Sequence, residues 1–342
     1  MAVDLAPDFA TAGALPPMPG LRFRHFAGPS DYPAMNEVAN DSRTANGVHF
    51  ITPLEGFAAF YDSFEVDRCD VARDLFIVEV AGRAIGYART EWSDEPDGTR
   101  HHEVVCFLAP QWRRLGIGRA MLDTIEARAI AAHGEHPASR QAYFQAEVEG
   151  DPGADALLAE AGYVPVRFGY IMLRPNMDSV PDARLPAGLE IRPVEEEDLR
   201  PIWDASVEAF RDAWGFVEPT ERDYELFATD PIQSDRTLWR VAWDGDEIVG
   251  QVRGFINHEE NERYRTRRGW VENISVRRRW RKRGVARALI ASTIEGLRER
   301  GMTEAALSVD TQNVSGALRL YESVGFRPKS TSTLYRKAMP QA

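Results

Sequence analysis

The stretch Trp280-Arg281-Lys282-Arg283-Gly284-Val285-Ala286 has a second copy upstream, Trp112-Arg113-Arg114-Leu115-Gly116-Ile117-Gly118, at an offset of 168 residues. Each copy follows an apolar, strand-like run and opens a helix-like one. A strand, a basic glycine-bearing turn and a helix in that order bring backbone N–H groups and a positive helix end to a phosphate group. Gly284 and Ala286, like Gly116 and Gly118, remove side-chain bulk where backbone must approach an anion. Arg281 and Arg283 add charge to that reading. The same residues also make an ordinary tight strand-to-helix connection with solvated arginines, and the turn alone does not separate the two. The glycine triplet of a dinucleotide site is absent, and so is the lysine that ends a nucleotide-triphosphatase loop.

Working outward, the surroundings repeat too. Leu21-Arg22-Phe23-Arg24-His25-Phe26 and Leu189-Glu190-Ile191-Arg192-Pro193-Val194 each read as a short strand followed by a helical run, at 31–40 and 196–210. Paired strand signals come next, around turns at Ala81-Gly82-Arg83 and Asp244-Gly245-Asp246. Glu103 to Leu108 and Trp270 to Val276 then feed the two basic turns. The helices that follow place Ile117, Met121, Ile125 and Ala129, and Val285, Leu289, Thr293 or Ile294, and Leu297, on single stripes, with Arg300-Gly301 as a stop. Closing strands are expected at Phe168 to Leu173 and Thr331 to Tyr335. This is a tandem duplication of an α+β, mixed-sheet domain: a tail at 1–20, domains at 21–174 and 189–339, and a proline-bearing linker at 175–188.

The 342 residues suffice for two domains, with 44% hydrophobic and 27% charged residues. A net charge of -12 argues against a nucleic-acid partner, although six of the seven residues from Arg277 to Arg283 are basic. Cys69 and Cys106 are the two cysteines, too few for a disulfide framework, and the seven histidines are scattered, so no metal is expected. Without a secretory leader pattern or a run of about eighteen apolar residues, the expectation is a cytoplasmic protein with no membrane partner. The oligomeric state stays open.

Both halves resemble the GNAT acetyltransferase superfamily, whose coenzyme A loop has the pattern Gln/Arg-x-x-Gly-x-Gly/Ala after the fourth strand. Arg281-Lys282-Arg283-Gly284-Val285-Ala286 and Arg113-Arg114-Leu115-Gly116-Ile117-Gly118 fit that pattern. The tandem layout is similar to that of the mycothiol synthases and their relatives, as are Val309-Asp310-Thr311-Gln312-Asn313, Gly316-Ala317-Leu318 with Tyr321, and Ala209 to Gly215. Ala213 stands where those relatives often have His. The resemblance implies acetyl-CoA as cosubstrate. It implies backbone N–H groups of about Arg279 to Arg287 on the pyrophosphate, with Ile274 and Val276 flanking the acyl-pantetheine arm. It also implies Asn313, with Ala317 at the following helix start, fixing that arm.

Amide formation from a thioester needs a neutral amine and a proton for the departing thiolate. Tyr321, eight residues after Asn313, suits the proton donor; a core tyrosine would look the same. Glu272, four residues before Val276 and so expected on its face of the strand, suits a base for the incoming ammonium, or a carboxylate that only binds substrate. Asp212, Trp214 and Glu218 are expected to roof the acceptor site. In the first half Leu158 falls opposite Tyr321, Gly150 opposite Asn313, and Glu103 lies one residue out of register with Glu272, so that copy is expected to be catalytically degenerate. The expected function is acetyl transfer to a primary amine of a small polar acceptor, in the second domain. The alternatives are a non-catalytic acyl-CoA sensor or structural module, and a mycothiol synthase-like acetylation of a cysteinyl amine.

Overall fold

The apolar alternation and paired turns of each half fold into a mixed sheet, seen in a computed structural model that describes residues 9, 11, 13, 15–64, 68–136, 139–180, 182–313 and 316–340. Two units result: residues 1–167 with 332–342, and residues 168–331. In the first half of the chain run β1 (Leu21–His25), α1 (Tyr32–Ala45), α2 (Leu54–Asp62), α3 (Val71–Asp74), β2 (Leu75–Val80), β3 (Arg83–Asp94), β4 (Thr99–Leu108), α4 (Ile117–Gly134), β5 (Gln141–Glu149), α5 (Pro152–Glu160) and β6 (Val164–Arg174). The second half continues with β7 (Glu190–Arg192), α6 (Leu199–Phe210), α7 (Glu221–Thr229), β8 (Trp239–Asp244), β9 (Glu247–Phe255), α8 (His258–Tyr264), β10 (Arg268–Val276), α9 (Val285–Glu299), β11 (Glu304–Asp310), α10 (Ala317–Ser323) and β12 (Arg327–Ala338).

The closing strands are exchanged. In the first unit the sheet order is β1-β2-β3-β4-β5-β12, and in the second it is β7-β8-β9-β10-β11-β6. Ser332 to Ala338 pair antiparallel with Glu149 to Tyr143, and Gly169 to Arg174 pair antiparallel with Asp310 to Ala305. The expected domains at 21–174 and 189–339 are corrected accordingly: Phe168 to Arg174 belong to the second unit, and Ser332 onward to the first. The alternation of a strand fixes which face is apolar but does not name the neighbour it pairs with. Buried side chains mark the exchange, because Tyr335 and Met339 lie in the first unit's core and Met172 in the second's.

Among the described residues of each unit, the parallel pairs are β4–β5 and β10–β11, and the helices after the basic turns pack on one face. Ile117, Met121, Ile125 and Ala129 are fully buried in the first unit, as are Leu289, Thr293, Ile294 and Leu297 in the second. α9 stops as expected, with Gly301 in the left-handed region and Met302 N–H donating to Leu297 O at 3.1 Å. Two other expectations change. Residues 1–8, 10, 12 and 14 of the expected tail lie outside the described residues, but Phe9 is buried against the first core and donates its N–H to Phe23 O at 2.7 Å. The expected linker packs on the second unit through Met177, which is 2% exposed, since β6 has already delivered the chain there. The basic run Arg263 to Arg268 leads from the end of α8 into β10; Asn257 caps α8, and buried Glu260 accepts from the Trp270 indole at 3.2 Å.

Deleting residues 332–342 should therefore damage the first unit. Losing two buried side chains costs roughly 4 kcal/mol, about 10 °C in Tm for a unit of this size. Hydrogen exchange should show β5 deprotected with β8 to β10 unchanged; deprotection confined to β11 would contradict the exchange.

Candidate active site

The two basic turns have the same backbone. Arg113 and Arg281 are extended (φ −72 and −63°), and each follows a short 3-10 turn. Arg114 and Lys282 both sit at φ 62°, and Gly116 and Gly284 at 83 and 87°. A non-glycine residue in the left-handed region costs on the order of 1 kcal/mol, so the repeated value marks a geometry that the surroundings enforce. A Cβ added at Gly284 would meet nothing within 4 Å, which leaves the space beside the helix start open. The first amide of the α9 region to find an acceptor is Ala288, bonded to Gly284 O at 3.1 Å; in α4 it is Ala120, bonded to Gly116 O at 3.2 Å. The amides just before them, at 285–287 and 117–119, have no acceptor among the described residues and lie at the positive end of the helix dipole.

The arginines divide into two roles. Arg281 donates to Val276 O at 2.9 Å, to Ala209 O at 2.8 Å and to Asp212 at 2.8 Å. Arg113 does the same in the first unit, reaching Leu108 O, Asn46, Ser42 and, at 3.1 Å, Asp151. Both pin the turn to the preceding strand and the first helix, so the expected contact of Arg281 and Arg113 with an anion is corrected: every arm is already engaged. Arg287 donates to Ser323 at 2.6 Å and ties α9 to α10. Lys282 and Arg283 are exposed and without partners among the described residues, and they are the charges left to face an anion, with Arg114 their counterpart upstream. Asp212 is corrected as well. It accepts from Arg278 and Arg281, which hold its carboxyl below the ordinary range, and so it buttresses the turn rather than roofing an acceptor. Glu218 pairs with Arg211 at 2.7 Å beside an open groove of about 390 Å³ along α6, and Trp214 is 41% exposed in the same connection.

The chemistry-bearing side chains gather where β10 leaves β11. These strands pair only from Arg268–Glu304 to Trp270–Ala306 and then diverge. A bulge follows immediately: between Glu272 and Ser275 the register on β9 advances by one residue fewer, and Asn273 takes φ 51°. The separation leaves Ser308 N–H on β11 without a strand partner, and Glu272 supplies one, accepting from Ser308 N at 2.8 Å and Ser308 Oγ at 2.9 Å. Glu272 keeps some solvent contact, yet the surrounding protein pushes its pKa up to about 7 against the opposing pull of the Ser308 bonds. Tyr321, on α10, is 6% exposed; burial first, and then the nearby charge of Glu272, raise its pKa well above the usual tyrosine value. Ile274 and Val276 are half-buried against the second core. The expectation that Glu272 and Val276 share a face is wrong. With the bulge between them, Glu272 lies in register with Arg253 and Val276 with Gly250, on opposite faces of β9. Asn313 is exposed, and its backbone links Asp310 O to Gly316 N–H ahead of Ala317; Val314 and Ser315 lie outside the described residues.

The first unit keeps the cleft and loses the groups. Its strands β4 and β5 also part, after Glu103–Gln145, and a cleft of about 300 Å³ opens between Arg114, Gly116 and Gly118 of the turn and Cys106 and Leu158. β4 pairs with β3 without a bulge. Counting through the pairing, Arg89 corresponds to Arg253 and Val105 to Glu272, so Glu103 is two residues from the carboxylate position, not one. Leu158 does stand where Tyr321 stands: Tyr163 N–H closes onto Leu158 O at 3.0 Å, as Phe326 N–H does onto Tyr321 O. Ser308, Asn273 and Arg253 escaped the sequence reading; an Asn tolerant of left-handed backbone was the one local signal among them.

Comparison with known proteins agrees with this geometry. The family model described as "Acetyltransferase (GNAT) family" matches residues 47–163 and 203–326. A protein named mycothiol acetyltransferase from Geodermatophilus obscurus is 28% identical over 78% of this chain and 82% of its own. One of the same name from Thermobispora bispora is 27% identical over 90% and 97%. Among solved structures, a GCN5-related N-acetyltransferase from Sphaerobacter thermophilus aligns with a TM-score of 0.68 and 26% identity over 95% of this chain and 98% of that one. A tandem GNAT protein from the clavulanic acid biosynthesis pathway shares the fold at a TM-score of 0.65 and 17% identity, over 94% and 100%. With a family match in both halves, on two units that each carry the basic turn at the mouth of parting strands, the chain belongs to the acetyltransferase (GNAT) family.

Proposed function

We propose that the second unit transfers an acetyl group from acetyl-CoA to a primary amine of a small polar acceptor by direct attack. The observation that carries this reading is that Glu272, bonded to Ser308 where β10 and β11 part, lies near enough to the Tyr321 hydroxyl for its charge to act on it, with Val105 and Leu158 at the matching positions of the first unit. The amides at 285–287, the open space beside Gly284 and the free charges of Lys282 and Arg283 suit a pyrophosphate. Acetyl-CoA would supply the activated thioester. Glu272, half-ionised near neutrality, would accept the proton of the incoming ammonium, so that the amine nitrogen attacks the thioester carbonyl. Tyr321 keeps its proton at neutral pH and would give it to the sulfur as the carbon–sulfur bond breaks. The first unit would bind without turning over, or serve as scaffold. The likeness to proteins named mycothiol acetyltransferase supports a second reading, in which the amine is that of a cysteinyl group.

Three outcomes are expected. Calorimetry with acetyl-CoA should show binding that Gly284→Glu reduces, because the variant adds a carboxylate at the anion position; unchanged affinity would remove the second unit's turn as the site. Tyr321→Phe should lower kcat by roughly 10²-fold with the coenzyme Kd nearly unchanged, and equal turnover would end its role as proton donor. For Glu272 the sign is fixed by a base that works deprotonated: kcat/KM should rise with pH through about 7. That acidic limb should disappear in Glu272→Gln.

A further inference from the structure

The internal duplicate serves as a control for Arg253. In the first unit its counterpart Arg89 is buried next to the Phe60 and Phe64 rings and is neutralised by two carboxylates, Glu91 at 3.1 Å and Glu103 at 3.9 Å. Counted through the same pairing, those two acids become Phe255 and Trp270 in the second unit, and the two rings stack with centroids 6.1 Å apart. Arg253 therefore loses both counterions while keeping its burial, at 4% exposed. Its guanidinium lies over the rings of Phe227 and Trp239, at 4.4 and 4.5 Å, and none of its nitrogens has a hydrogen-bond partner among the described residues. Asp230, the acid whose charge acts on it, is committed to Ile232 N–H and the Gln233 amide at 2.9 and 2.8 Å. Two residues away on the same face of β9, Gln251 is 1% exposed, and both of its amide atoms are unpartnered.

A cation taken out of water without a partner is costly, and removing partners from a pair usually destabilises by several kcal/mol. The rings offset part of that cost through cation–π attraction but form no hydrogen bonds. With ring faces against the guanidinium, its donors remain available only in its own plane, the geometry that matches a two-oxygen planar anion. A single guanidinium balances a single negative charge, which fits a carboxylate better than a phosphate dianion. The position matters as much as the charge, because Arg253 is the cross-strand partner of Glu272 and shares its face.

We infer that Arg253 receives a carboxylate carried by the acceptor, with Gln251 as an added hydrogen-bonding group, so that the acceptor is a small molecule of the aminocarboxylate class. This rests on the acetyltransferase reading for the amine end, where Glu272 stands, and adds the anchor for the other end. The full-length protein, Arg253→Gln and Arg253→Met should be titrated with glycine, β-alanine and 4-aminobutyrate, with the matching carboxamides, and with aminomethylphosphonate. Tryptophan fluorescence reports binding next to Trp239, and thiol release from acetyl-CoA reports transfer.

At least one carboxylate should bind about tenfold or more tighter than its carboxamide, and both variants should bring the ratio to roughly one. Both variants should also melt at or above the parent temperature, since they remove an unpaired buried cation. No saturable response, a preference that survives the substitutions, tighter binding of the phosphonate, or a fall in Tm in both variants would each overturn the assignment. Arg253-dependent binding without thiol release supports it while removing the acetyltransferase reading. Thiol release with equal kcat/KM for carboxylate and carboxamide does the reverse.

Discussion

Two parallel strands that stop pairing leave backbone groups without partners, and in the second unit a carboxylate fills that gap. Glu272 accepts from Ser308 N–H and its hydroxyl across the opening between β10 and β11, so the same oxygen that bridges the strands also places a carboxyl at that opening. Glu272 is in regular register with Arg253 on the α6 and α7 side, and the bulge at Asn273 that follows it moves Val276 to the face of the core that α9 packs on. The anion-facing turn begins where β10 ends, pinned by Arg281 to Val276 and Ala209. Loop, carboxylate and tyrosine are therefore set by one event in the sheet, the early end of pairing after Trp270.

Much of this was legible in the sequence, because it is written locally. The two basic turns, the stripes of α4 and α9, the glycine stop after α9 and the loss of Tyr321 in the first copy all follow from residue type and spacing. What escaped depends on partners distant in the chain. A one-residue bulge changes no composition but reverses the parity used to align Glu272 with Val276 and Glu103. Arginines in a basic run look alike until the structure shows Arg281 gripped by Asp212 and carbonyls while Lys282 and Arg283 stay free. The exchange of β6 and β12 was equally hidden, since either strand satisfies either edge by alternation alone.

The duplication also separates support from function. Features repeated in both units, such as Arg113 with Arg281 and the paired φ values at Arg114 and Lys282, maintain the turn. Features found once distinguish the second unit: the bulge, Glu272, Tyr321 and the counterion-free Arg253. The first unit has apolar side chains at the carboxylate and hydroxyl positions and acids around Arg89, an arrangement that closes on itself.

The exchanged closing strands carry a consequence for synthesis. The first unit's sheet lacks its sixth strand until residues as late as Ala338 have been translated, whereas β6 is already made when the second unit begins to emerge. The half that leaves the ribosome first is thus the half that finishes last, and for most of translation β5 presents an open edge of the kind chaperones bind and aggregates grow from.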